Sequence, residues 1–170
     1  MKNMFNQFSP RISLNYALDE SWSWNTTVGL YNQLPAYTIL GFRDVSGQLV
    51  NQDDLKFIEA THYVTGFEYK PNETTKVTVE GFYKGYNNYP FSVRDQISLA
   101  NVGSDFGVVG NEEVTSSSEG RSYGFEFLWQ KKSYSGVYGI LSYTFVKSEF
   151  QDANNMFIPS TWDNRHLLTF

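Results

Sequence analysis

The sequence predicts an all-β fold: about seven long antiparallel strands that cross a membrane as part of a β-barrel, with short turns at one end and long loops at the other. Three observations carry this expectation. The first is alternation. From Tyr123 to Trp129 every odd position is a large aromatic, while the even positions from Ser122 to Gln130 carry Ser, Gly, Glu, Leu and Gln. Successive side chains point to opposite faces of a strand, so one face is a column of rings and the other is mostly polar. The second is strand length: the alternating segments run for roughly 10–14 residues, against the 9–11 that a tilted strand needs to cross a bilayer. The third is composition. Aromatics make up 18% of the 170 residues, with 12 Tyr and 14 Phe, and a Leu-rich helical period is missing. That mixture suits strands and turns.

The elements follow in order. Residues 8–18 put Ile12, Leu14, Tyr16 and Leu18 on one face against Ser13, Asn15 and Ala17. Asp19-Glu20-Ser21 is a tight polar turn. The next strand sets Trp22, Trp24, Thr26, Val28 and Leu30 against Ser23, Asn25, Thr27 and Gly29. Residues 33–56 form a long irregular loop with Pro35, Gly41 and Gly47. Alternation resumes with Tyr63, Thr65, Phe67 and Tyr69, and Lys70-Pro71-Asn72-Glu73 reads as a turn. Val77, Val79 and Tyr83 carry the next apolar face, before a second long loop over residues 87–119. The aromatic strand at 120–131 turns at Lys132-Ser133-Tyr134-Ser135 into a strand bearing Leu141, Tyr143 and Phe145. A third loop at 149–163 leads to a last strand at 165–170. Every tight turn falls at one end. Trp22, Trp24, Tyr69 and Trp129 cluster there, as an interfacial aromatic girdle does.

Charge and chemistry exclude several functions. A net charge of −5 argues against a nucleic-acid partner, which needs a basic footprint. With no cysteine there is neither a disulfide scaffold nor a thiolate metal site. No apolar run approaches the roughly 18 residues of a spanning helix. Residues 1–7 lack an apolar signal core. His62 and His166 each stand without a neighbouring ligand, and Asp44, Asp53 and Asp54 do not have the spacing of a calcium loop. The glycine-rich segment at 103–110 lacks the lysine and following helix of a phosphate loop. No nucleophile elbow or triad is present, so neither a catalytic residue, a metal nor a cofactor is expected. Glu68, Glu80, Glu126 and Lys84 read as lumen lining. Candidate ligand contacts are the aromatics and arginines of the external loops: Tyr31, Tyr37 and Arg43 in the first, Tyr86, Tyr89 and Arg94 in the second. Packing of the loops on themselves is the competing reading of each.

Several segments resemble the barrel strands of TonB-dependent outer-membrane receptors. They are Ser9-Pro10-Arg11 with its strand, turn and Trp-initiated return, Gly29-Leu30-Tyr31-Asn32-Gln33-Leu34-Pro35, Gly66-Phe67-Glu68-Tyr69-Lys70-Pro71, Gly120-Arg121-Ser122-Tyr123-Gly124-Phe125-Glu126 and Trp162-Asp163-Asn164-Arg165-His166. The resemblance implies a Gram-negative outer membrane as the location, with short turns on the periplasmic side and long loops outside. It also implies lipid around the barrel, a small-molecule or oligosaccharide cargo, and import of a scarce nutrient such as a siderophore, haem, vitamin or oligosaccharide. Import would be driven by the TonB energy-coupling complex through a plug domain. Such barrels have about 22 strands around the plug. Residues 1–170 therefore read as an interior segment of one barrel domain, without plug, coupling box or signal peptide. With two free edges it is expected neither to form a pore nor to transport on its own. Two alternatives stay open: a passive outer-membrane channel, and a soluble β-sandwich that binds carbohydrate.

Overall fold

The computed structural model describes residues 8–102, 109–134 and 136–170, with the backbone alone at Ser133 and Tyr134. Most of the glycine-rich segment at 103–110 lies outside the described residues, as do residues 1–7 and Ser135.

Alternating sequence becomes one antiparallel sheet. Its strands are β1 (Arg11–Ala17), β2 (Trp22–Gln33), β3 (Ile58–Asn72), β4 (Thr75–Ser92), β5 (Val114–Tyr134), β6 (Val137–Gln151), β7 (Phe157–Pro159) and β8 (Arg165–Thr169). The order is sequential from β1 to β7, while β8 also pairs with β6, below β7. The short third-loop strand β7 and the last strand β8 thus share one edge. Among the described residues the sheet does not close, and β1 is exposed along its whole length.

Register turns the sequence pattern into two chemically distinct faces. Directly opposed residues share a face. One face runs across the sheet as Val28, Tyr63, Tyr83 and Tyr123, then as Trp24, Phe67, Val79, Phe127 and Tyr143. Several of its members are about half exposed: Tyr63 50%, Phe67 48%, Val79 47%, and Phe125 on the same face 44%. Among the described residues no layer covers them, as the lipid-facing side of a barrel requires. The other face is hydrogen-bonded polar wall: Ser13 with Thr27 at 3.0 Å, and Asn15 donating to Asn25.

The short turns are made by side chains that replace missing backbone partners. Asp19 Oδ1 accepts from the Ser21 and Trp22 amides at 2.7 and 2.8 Å. Asn72 Oδ1 accepts from the amide and hydroxyl of Thr74 at 3.1 and 2.8 Å. This second turn lies further along than expected, because β3 continues through Pro71 to Asn72 with a register shift after Tyr69. A bulge tolerates a residue with no N–H to give the ladder. Beside the turns, Trp22 stacks on Tyr69 at 4.5 Å, and the Trp24 indole donates to Thr65 Oγ1 at 2.9 Å. The indole N–H of that girdle ring therefore has a protein partner.

At the opposite end β4 and β5 run well past the predicted strand ends, to Ser92 and back from Val114. Here the loops have a small core of their own. The single-turn helix α1 (Tyr37–Leu40) brings Ile39 against Leu55, Leu99 and Val114. Asn51, 1% exposed, ties the loops together: its amide donates to the Ile39 and Glu112 carbonyls at 2.8 Å each, and its carbonyl accepts from the Val114 amide at 3.2 Å. Replacing Asn51 by Leu strands these three backbone groups, at about 1–3 kcal/mol for each left unsatisfied. Hydrogen exchange in the intact protein is expected to show the Val114 amide deprotected and both loops opened. Unchanged protection would contradict that assignment.

Candidate functional site

The polar face and the loops above it hold all six candidate ligand contacts, but not in one place. Tyr31 is in strand β2, not in a loop, and points to the polar face by its register with Ala60. Its ring is flanked by the Arg11 guanidinium at 4.1 Å and by the His62 ring at 4.2 Å.

Tyr86 and Tyr89 also belong to a strand, β4, rather than to the second loop. Strict alternation would put them on opposite faces. A bulge between them, with Asn88 at φ +57°, adds a residue and returns Tyr89 to the polar face opposite Ser118. Both rings then pack on Phe150, at 5.4 and 4.7 Å, and Phe150 is 1% exposed. Beside them Ser122 donates to Ser148 Oγ, and Ser160 from the third loop donates to the same oxygen, each at 2.8 Å. The third loop is further held by Asn101, which donates to the Ile158 and Pro159 carbonyls at 3.1 and 2.9 Å. Tyr86 and Tyr89 thus seat the loops on the wall.

Tyr37, Arg43 and Arg94 are in the loops, as expected. Tyr37 is 83% exposed and borders a cleft of about 450 Å³ with Leu34, Leu40 and Leu49. Arg43 donates to the Gly47 carbonyl at 2.6 Å across a turn closed by Asp44. Arg94 makes a two-toothed pair with Asp95 at 2.9 Å and reaches Glu112 at 3.6 Å. These partners raise the guanidinium pKa further, and Arg94 holds the Asp95 carboxyl below its usual range.

Asp44 accepts from the Ser46 hydroxyl at 2.6 Å and from the Ser46 and Gln48 amides at 2.8 and 3.0 Å. The Ser46 hydroxyl is the chief reason its carboxyl lies below the ordinary aspartate value. A depressed carboxyl stabilises the fold above the unfolded aspartate pKa, and that contribution is lost as pH falls through the folded one. Protection of the Ser46 and Gln48 amides is therefore expected to collapse in that acid window, and to be weak at every pH in Asp44→Ala. Protection that ignores both changes would refute the role.

The wall itself carries charge in bands. One row of the polar face reads Arg11, Gly29, His62, Lys84 and Ser122. Two rows toward the short turns, Glu80 stands directly opposite Glu126. Glu68, nearer still to the turns, pairs with Lys70 and Lys76 at 2.6 and 2.8 Å. Arg11, His62 and Phe150 were not among the candidate ligand contacts. Their signal is the shared strand parity with Tyr31 and Tyr86, which only an established register makes legible. Among the described residues no group of three or more His, Asp or Glu side chains is placed to hold a metal ion.

A long-stranded sheet with one exposed aromatic face, one polar face and all its long loops at one end is the geometry of an outer-membrane barrel wall. Comparison agrees. The family model for the TonB dependent receptor-like β-barrel matches residues 2–165. No curated protein matches the chain. Among solved structures it is similar to the alcaligin outer-membrane receptor FauA of Bordetella pertussis, with 18% identity and a TM-score of 0.61, over 95% of this chain and 25% of that one. It is also similar to the copper transporter OprC, with 15% identity and a TM-score of 0.61, over 89% of this chain and 22% of that one. The chain spans about a quarter of the length of these structures. By its family match it belongs to the TonB-dependent receptor-like β-barrels of the Gram-negative outer membrane.

Proposed function

We propose that residues 1–170 form one stretch of the wall of a single barrel domain, and that the intact protein imports a scarce nutrient. The observation that carries this reading is the two-faced sheet, with rings toward lipid and a banded polar wall toward the lumen. The fold neighbours include a receptor for alcaligin and a copper transporter, so a metal chelate or metal is a natural cargo class beside haem, vitamins and oligosaccharides. Energy would come from the TonB complex acting through a plug domain, and the chain has no catalytic role. Of the candidate contacts, Tyr37 offers a free ring face beside an open cleft. Tyr31, Arg43, Tyr86, Tyr89 and Arg94 contact cargo only at their edges, because each is already engaged by a protein group.

The test is fractionation of source cells, blotted with an antibody to this segment, with boiled and unboiled samples. A band several times larger than the 19.6 kDa of this chain, in the outer membrane and shifting on heating, is expected. A soluble band of the chain's own mass would overturn the reading. The isolated segment, with unpaired edges that lipid cannot satisfy, is expected to give no selective flux in liposomes.

A further inference from the structure

We propose that the luminal wall carries a binding site for an oxyanion, a carboxylate or phosphate group, formed by Arg11 and His62, which flank the ring of Tyr31, and by Lys84 in the same row. The inference rests on the receptor reading above, since only in a barrel does this face enclose a lumen.

The site is built by cross-strand register. Arg11 lies opposite Gly29, Gly29 opposite His62, and His62 opposite Lys84, so three cationic or potentially cationic groups stand in one row on four adjacent strands. Gly29 is what allows them to gather. A Cβ there would lie 2.9 Å from the Tyr31 ring and 3.1 Å from Arg11 Cγ, so the tyrosine folds across the glycine and receives the guanidinium on its face. His62 stacks beside the same ring and lies within electrostatic reach of both Arg11 and Lys84. The arginine is thereby oriented by stacking rather than by a carboxylate, and its N–H fork stays open.

What the row lacks is as informative. Among the described residues neither Arg11 nor Lys84 forms an ion pair, and the His62 ring makes no hydrogen bond. Several basic groups elsewhere are ion-paired: Arg121 and Lys147 with Glu149, Arg94 with Asp95 and Glu112, Arg165 with Asp163. The row above holds Tyr31, Ala60, Tyr86, Gly120 and Phe150, and the row below Ser13, Thr27, Val64, Phe82 and Gly124. The first acids on this face are Glu80 and Glu126, four residues along the strand from Lys84, or about 13 Å away at 3.3 Å per residue. Arg11 and Lys84 flank His62 from its two neighbouring sides of the row, and an oxyanion between them accepts a forked pair from guanidinium and a single bond from ammonium. A neutral polyol or a cation has no such complement here. Lipid phosphate is on the wrong side of the sheet, because the exposed aromatic face points the other way.

The experiment is calorimetric titration of the full-length receptor, in phospholipid-free detergent at low salt, with pyrophosphate and tricarballylate, and with glycerol as the neutral probe. Saturable binding of at least one anion and none of glycerol is expected. Affinity should fall at least tenfold in the R11Q/K84Q double variant, with the heat shift of the folded barrel unchanged, and should weaken with added salt. Binding that survives the double substitution would place the anion elsewhere and overturn the site. A heat-modifiable outer-membrane barrel that binds neither anion would also overturn it: the row is then neutralised by another part of the protein, and the receptor reading stands. A protein absent from the outer membrane would remove the receptor reading, and the luminal site with it.

Discussion

Gly124→Val is expected to abolish assembly of the folded barrel. Gly124 lies opposite Phe82 on β4 and Val146 on β6, on the polar face at mid-height. A Cβ there would fall 1.9 Å from the Phe145 carbonyl oxygen and 3.0 Å from Val146 Cα, and these are backbone atoms of the paired strand. No rotamer change relieves such an overlap, so β5 and β6 must separate there. Overpacking of side chains alone costs about 1–3 kcal/mol, and a backbone clash within a ladder exceeds that range. The readout is the heat-shifted band in outer-membrane fractions, expected to vanish. The control is Gly81→Ala, where the nearest atoms to a new Cβ are two carbonyl oxygens at 4.0 Å. It should assemble like the parent protein. If Gly124→Val folds as well as Gly81→Ala, the β5–β6 pairing described here is wrong.

Phe125→Arg should produce the second largest loss, through solvation rather than sterics. Phe125 sits on the exposed face, 44% accessible, between the rings of Tyr143 and Phe145 at 5.7 and 5.9 Å. It is four residues from the girdle residue Trp129, about 9 Å toward the bilayer centre on a strand tilted by 45°. Arginine on the lipid face at that depth costs about 2–4 kcal/mol. Denaturant unfolding of the intact barrel in lipid vesicles should report a loss of that size. Glu126→Gln, one residue on but turned to the polar face, should stay within about half a kcal/mol. Equal effects at the two positions would mean that the face assignment is inverted or that neither face meets lipid.

Where strands kept a strict two-residue period, their identity, pairing and facing were legible in the sequence. Ile12 to Leu18, Trp22 to Leu30 and Tyr123 to Trp129 each read correctly, because a one-residue slip would exchange the lipid and lumen faces. The pattern misled where a bulge broke the period. Asn87-Asn88 reads as the start of a loop, yet Asn88 at positive φ adds a residue within β4 and the strand continues to Ser92. The pattern therefore puts Tyr86 and Tyr89 in the second loop, whereas both are wall residues packed on Phe150. Pro71 misled in the same way at the other end. The loop core around Ile39, Leu99 and Val114 could not be read at all, since its members are separated by up to 75 residues with no common period.

The sequence by itself determined the membrane-barrel class, the two faces and the asymmetry of turns and loops. These follow from local alternation and turn chemistry, which act between near neighbours in the chain. Tertiary structure alone decided which side chains meet: the Tyr31 stack with Arg11 and His62, the unpaired row that includes Lys84, and the Asn51 tie between loops. Each of these depends on cross-strand register and loop closure, and such contacts between distant residues leave no periodic trace in a single chain.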